Sequence, residues 1–200
     1  VSLKVCKFGG SSLSDADRLA EVCGIVAADP ERRVVVVSAP GKRDASDTKV
    51  TDLLIACAER KLAGGTARPE LEAVVERFAA MQREAGLPDS VTAEIAADIA
   101  SRLEGDRSHK GEFIDRLKAA GEDNCARLVT AALCSRGVDA RYLSPREGGL
   151  LLSDEYGNAQ ILPESYDNLS ALREARGVTV FPGFFGYTRE GKVVTFSRGG

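Results

Sequence analysis

Two hundred residues, 44% hydrophobic and 28% charged, have the composition of an ordinary globular protein and not that of a disordered chain. A chain of this length buries about 70% of its extended surface on folding, so neither a metal nor a disulfide staple is required. The balance of 27 basic against 30 acidic residues, net charge -3, excludes the basic footprint of a nucleic-acid binder. The longest apolar runs, such as residues 34–37, are far short of the roughly 20 residues that cross a bilayer. No charged region followed by an apolar one opens the sequence, so no secretory signal is expected. The five cysteines (Cys6, Cys23, Cys57, Cys125 and Cys134) are odd in number and form no C-x-x-C pair, which fits reduced thiols in a cytoplasmic protein.

In chain order, residues 3–8 alternate as a strand does, and Gly9-Gly10-Ser11-Ser12 breaks the pattern. Ser14 is placed to cap a helix carrying Leu19, Val22, Cys23 and Val26. Residues 33–39 hold four consecutive valines, the pattern of a parallel strand buried on both faces, and Pro40-Gly41 ends it. Thr51 is a candidate N-cap for a helix with Leu53, Leu54, Cys57 and Ala58. Residues 69–103 read as two helices broken at Gly86, Pro88 and Asp89, an insertion compatible with a lid or a self-association surface. Helical spacing continues over 112–117, is interrupted at Gly121 and resumes from Cys125 to Gly137. Strands are expected at 140–144, 148–152, 160–162 and 178–181, a helix at 163–176, and a closing hairpin whose second arm is 193–196.

Alternating strands and helices predict an α/β fold, a mainly parallel sheet sandwiched between helices, with ligands at the carboxyl ends of the strands. There the turn at Lys7-Phe8-Gly9-Gly10-Ser11-Ser12 joins a cation to unshielded backbone amides at the start of a helix, the chemistry of a phosphate site. It is neither a Walker A loop nor a dinucleotide fingerprint. The same glycines would serve equally in a tight turn with Lys7 solvated. His109, the one histidine, stands in a polar stretch and reads as a solvated loop residue.

That segment, followed by Val37-Ser38-Ala39-Pro40-Gly41, Thr51-Asp52-Leu53-Leu54, Gly121-Glu122, Pro182-Gly183-Phe184 and Arg198-Gly199-Gly200, resembles the aspartokinases of the amino acid kinase family over essentially the whole sequence. The resemblance implies ATP-dependent phosphorylation of the side-chain carboxylate of L-aspartate to 4-phospho-L-aspartate, on the route to lysine, threonine and methionine. It gives Lys7 the transferring phosphoryl group, as the catalytic cation, and has Gly9, Gly10 and Ser11 hold the same phosphate. It places Ser38, Thr51, Glu122, Phe184 and Arg198 on the amino acid: hydroxyls at strand and helix ends, a carboxylate for the substrate ammonium at a helix start, a turn backbone, and a guanidinium for a carboxylate. Ala119 and Ser197 stand where the family often carries serine and glycine.

The substrate's own carboxylate is the nucleophile and is already ionised, so no general base is required. Mg2+ is expected to ride on the ATP phosphates, with no protein metal cluster. The family continues beyond the arginine and two glycines with which this sequence ends. Residues 1–200 are therefore expected to be the substrate-binding amino-terminal part of the kinase domain, incomplete at the C-terminus and inactive alone, with the helical insertion at about 69–104. The nucleotide-binding half and regulatory domains lie outside it. The partner implied is L-aspartate, without nucleic acid or membrane, and a homo-oligomer is compatible with the pattern. A non-catalytic amino-acid-binding or assembly module that keeps the aspartate pocket is the alternative.

Overall fold

The computed structural model describes residues 3–197. Strand β1 (Lys4–Phe8) leads through a 3-10 turn (Gly10–Leu13) into helix α1 (Ala16–Ala27), and β2 (Arg32–Val37) is followed by α2 (Val50–Leu62). Three helices come next, α3 (Arg68–Glu84), α4 (Asp89–Glu104) and α5 (Lys110–Ser135). Strand β3 (Ala140–Tyr142), α6 (Glu164–Ser170), β4 (Val178–Pro182), β5 (Phe185–Tyr187) and β6 (Val193–Thr195) complete the order.

Four strands make one parallel sheet in the order β1-β2-β4-β3, so β4 lies between two strands that precede it in the chain. The valine run explains the centre: alternate residues of β2 face opposite ways. Val35 and Val37 join Val180 in the main core, where α1, α2 and α5 supply Leu19, Val22, Leu54, Leu128 and Val129. Val36 turns the other way, with Phe181, onto Leu150, Leu152, Leu169 and Val194. That second face is only partly covered. It borders a groove of about 830 Å³ and leaves Val5 63% exposed.

Helices α3 and α4 form an antiparallel pair whose Val74, Phe78, Ile95, Ile99 and Leu103 belong to the main core. A half-buried charge cluster ties α4 to α5. Arg102 pairs with Asp98 at 2.8 Å and with Asp123, which also accepts from the Tyr142 hydroxyl on β3. No helix among the described residues is long and apolar enough to cross a membrane.

Several local expectations need correction. Asp15, not Ser14, caps α1: its side chain accepts from the Arg18 amide at 2.9 Å, while the Ser14 hydroxyl donates to Asp15 Oδ2 at 2.7 Å. Helix α2 starts one residue before Thr51, with Lys49 at its N-cap and no side-chain cap. Gly121 does not interrupt α5. A Cβ there would lie 2.8 Å from the Ala39 Cβ and 3.3 Å from Leu54 Cδ1, so glycine is what lets the helix approach the end of β2. His109 is a cap and not a free loop residue, since its Nδ1 accepts from the Glu112 amide at 3.3 Å and its ring lies on Tyr156. The helix expected at 163–176 shortens to α6 and a 3-10 turn (Ala171–Arg173). The segments 148–152 and 160–162 make only isolated bridges, Leu151 with Tyr187 and Leu152 with Ile161.

Candidate active site

The carboxyl ends of β1, β2 and β4 are neighbours, with Phe8 opposite Val37 and Val37 opposite Pro182. Everything that follows these strands is therefore delivered to one edge of the sheet. From β1 comes Lys7, whose ammonium donates to the Ser38 hydroxyl at 3.4 Å across the strand boundary. Directly after β2 come Ser38 and the tight segment to Gly41.

The two glycine turns interlock. The Gly41 amide donates to the Gly10 carbonyl at 2.8 Å. A Cβ on Gly10 would stand 2.9 Å from the Ala39 carbonyl oxygen, and one on Gly41 would stand 2.6 Å from the Gly10 carbonyl carbon. Gly9 differs: a Cβ there would meet nothing within 4 Å, so the space beside its backbone is open to a ligand.

Below this edge, α5 raises Glu122 from its middle and not from its first turn, as the uninterrupted helix requires. The side chain is buried, and its Oε2 has no hydrogen-bond partner. Burial pushes its carboxyl up to about 7, against a hydrogen bond from the Ala39 backbone and the charge of Lys7, which both act in the opposite direction. A buried carboxylate oxygen without a partner is costly, and a cation placed against it recovers much of that cost.

A cavity of about 420 Å³ opens between these parts, lined by Gly10, Ser11, Ser38, Gly41, Thr51 and Glu122, with Lys42 and Lys49 at its wall. Five of the site residues expected from sequence thus share one cavity: Gly10, Ser11, Ser38, Thr51 and Glu122. Lys7 and Phe184 line the adjoining groove, which shares Ser38 and Glu122 with the cavity. Gly9 lines neither, and Arg198 lies outside the described residues.

Phe184 is the one non-glycine residue with positive φ among those described, at 70°. Such a conformation costs about 1–3 kcal/mol and persists where the surroundings impose it. Here the Phe196 amide donates to the Phe184 carbonyl at 2.9 Å, and the Phe185 amide to the Gly183 carbonyl at 2.9 Å. Lys42 and Lys49 were not singled out from sequence; the only signal was a polar, partly basic stretch between a glycine turn and a helix.

Taken together the site offers one buried carboxyl with an unpaired oxygen, several cations and the backbone of two glycine turns around a small volume. That set suits a ligand bearing both an ammonium and anionic oxygens. Residues 2–200 match the sequence model of the amino acid kinase family. The chain belongs to the amino acid kinase family.

Within that family it is 53% identical over 198 residues to Aspartokinase 3 of Bacillus subtilis, covering 99% of this chain and 44% of that protein. It is 30% identical over 210 residues to the chloroplastic Aspartokinase 2 of Arabidopsis thaliana, 98% of this chain and 37% of that one. The solved structure of E. coli aspartokinase III in complex with aspartate and ADP superimposes with a TM-score of 0.82 at 28% identity, over 100% of this chain and 44% of that chain. The chain thus spans less than half the length of these relatives. The α/β amino acid kinase fold expected from sequence is the fold observed.

Proposed function

We propose that this chain is the amino-terminal, substrate-binding part of an aspartate kinase. The full protein would transfer the γ-phosphoryl group of ATP to the side-chain carboxylate of L-aspartate, giving 4-phospho-L-aspartate and ADP, the first step towards lysine, threonine and methionine, in the cytoplasm. The observation that carries the reading is the cavity at the strand ends, where the buried carboxylate of Glu122, with its Oε2 unpaired, lies beside Ser38 and the Lys7 ammonium donates to that same serine. Kinship with aspartokinases, one of them solved with aspartate and ADP, supports it.

In this reading Glu122 takes the substrate ammonium, and the Ser38 and Thr51 hydroxyls orient the amino acid. The Phe184 backbone and Arg198 complete the grip. The aspartate carboxylate, ionised at neutral pH, attacks the γ-phosphorus as the bond to the ADP oxygen breaks, so no protein base is needed. Lys7 neutralises charge on the phosphoryl oxygens in the transition state, and the amides of Gly9, Gly10 and Ser11 hold the phosphate. Mg2+ would enter with the nucleotide, whose phosphates are its natural ligands. Among the described residues no group of three or more His, Cys, Asp or Glu could hold a metal ion.

The test is aspartate-dependent ADP formation by the full-length protein carrying this chain, with glutamate as competitor. Turnover with aspartate and not glutamate supports the kinase. Aspartate binding without turnover in that protein would instead favour an amino-acid-binding or assembly module. Residues 1–200 alone are expected to be inactive.

A further inference from the structure

Arg77 projects from the middle of α3, in the helical pair, yet it is only 4% exposed. An arginine so buried must have its donors satisfied. Its Nε donates to the Ser14 carbonyl at 3.3 Å, its Nη2 to the Gly41 carbonyl, and its Nη1 pairs with Asp47 Oδ2 at 2.6 Å. These partners lie in three places: the end of the turn after β1, the glycine after β2, and the polar loop leading to α2. One planar guanidinium therefore spans both of the interlocked turns that wall the cavity.

Asp47 is itself fixed from the loop side. It accepts from the Arg43 backbone amide at 2.9 Å and from the Arg43 guanidinium at 3.0 Å. The loop running from Lys42 to Lys49 is thereby tied to α3 as well as to its own backbone.

We infer that Arg77 is a positioning residue, holding the turns at Gly10 and Gly41 in register so that the phosphate-facing amides keep their alignment. The helical pair is then a buttress of the candidate active site. Nothing in the sequence marks Arg77 apart from the other charged residues of α3. The kinetic part of this inference rests on the kinase reading, whereas the structural part does not.

Arg77→Met, which keeps an unbranched apolar stem and loses the fork, is compared with Arg77→Lys, which reaches one carbonyl at a time. Both are made in the full-length protein, and two readouts separate the possibilities. Deuterium exchange of peptides covering residues 8–14 and 38–47 should accelerate about tenfold or more in Arg77→Met and less in Arg77→Lys, with peptides of α5 unchanged. Turnover with aspartate should fall about ten- to a hundredfold in kcat, with KM for aspartate within about threefold, because small misplacement of the turn acts on the transition state. Unchanged exchange at the two turns overturns the inference. So does faster exchange with unaltered kcat in an active parent. If the parent shows no aspartate-dependent turnover, the kinase reading falls and the exchange result alone decides whether Arg77 clasps the turns. Should Arg77→Met not fold, the same criteria apply to Arg77→Lys.

Discussion

The Gly41 amide donates to the Gly10 carbonyl at 2.8 Å, so the turn after β1 and the turn after β2 are one unit. Neither glycine has room for a methyl group: on Gly10 it would meet the Ala39 carbonyl oxygen at 2.9 Å. Gly10→Ala should therefore lower stability by about 1–3 kcal/mol, as over-packing against backbone does. Gly9→Ala, with open space beside it, should stay within about 0.5 kcal/mol of the parent and instead weaken nucleotide binding. Chemical unfolding and ADP titration of the two variants check the contrast.

Among the described residues the Lys7 ammonium donates to the Ser38 hydroxyl at 3.4 Å, and its charge acts on the buried Glu122 without a hydrogen bond to it. Lys7→Ala should fold normally and lower kcat on the order of a hundredfold while leaving aspartate affinity nearly intact. Steady-state kinetics beside direct aspartate binding would show it, and an equal loss in both would move Lys7 from the transition state to ground-state binding.

Glu122 titrates at about 7 because burial penalises its charge. The folded protein therefore holds a proton that the unfolded chain has released between about pH 4.5 and 7. This group's contribution is most favourable below pH 4.5 and is lost as pH rises through 7, by an amount on the order of 3 kcal/mol. Glu122→Gln should flatten that dependence and gain stability relative to the parent at pH 8 compared with pH 5, read from unfolding midpoints.

The same residue links binding to protons. A substrate ammonium favours the ionised carboxylate, so aspartate binding near pH 6 should release a proton and strengthen as pH rises towards 7. Calorimetry in buffers of different ionisation enthalpy measures the release. Glu122→Gln should abolish it and weaken binding.

Arg102, whose side chain is 14% exposed, lies between Asp98 and the buried Asp123. Replacing it by Met leaves two carboxylates facing each other without their cation, which should cost about 3–5 kcal/mol. Thermal unfolding of Arg102→Met against Arg127→Met, whose half-buried guanidinium lies 4.0 Å from Asp123 and over the Tyr142 ring, separates the short ion pairs from the longer one.

Much of this architecture is legible in the sequence because it rests on local signals. The valine run fixes β2, the glycine turns end β1 and β2, and Gly86, Pro88 and Asp89 separate α3 from α4. Where the reading fails, a tertiary contact outweighs a local rule. Gly121 looks like a break, but its missing side chain is what allows α5 to pack on Ala39. Adjacent Ser14 and Asp15 both satisfy the capping pattern, and the hydrogen bond between them decides which one caps. The site is legible as a set of turn residues, since those come from contiguous motifs. Arg77 and the wall lysines are not, because only folding brings α3 and the loop before α2 to the same edge.

The central place of β4 has a consequence for how the protein is made. Val34 pairs with Thr179 and Val37 with Pro182, so the middle of the sheet cannot close until the chain through β4 has left the ribosome. Pairings so distant in sequence close slowly, and until they do β2 has its β4-facing edge open. During synthesis the turns after β1 and β2 can form early on β1, α1 and α3, whereas the groove beside Lys7 and Glu122 gains the end of β4, Pro182 to Phe184, only later. Nascent chains paused before residue 178 would thus carry the glycine turns without the finished sheet beneath them.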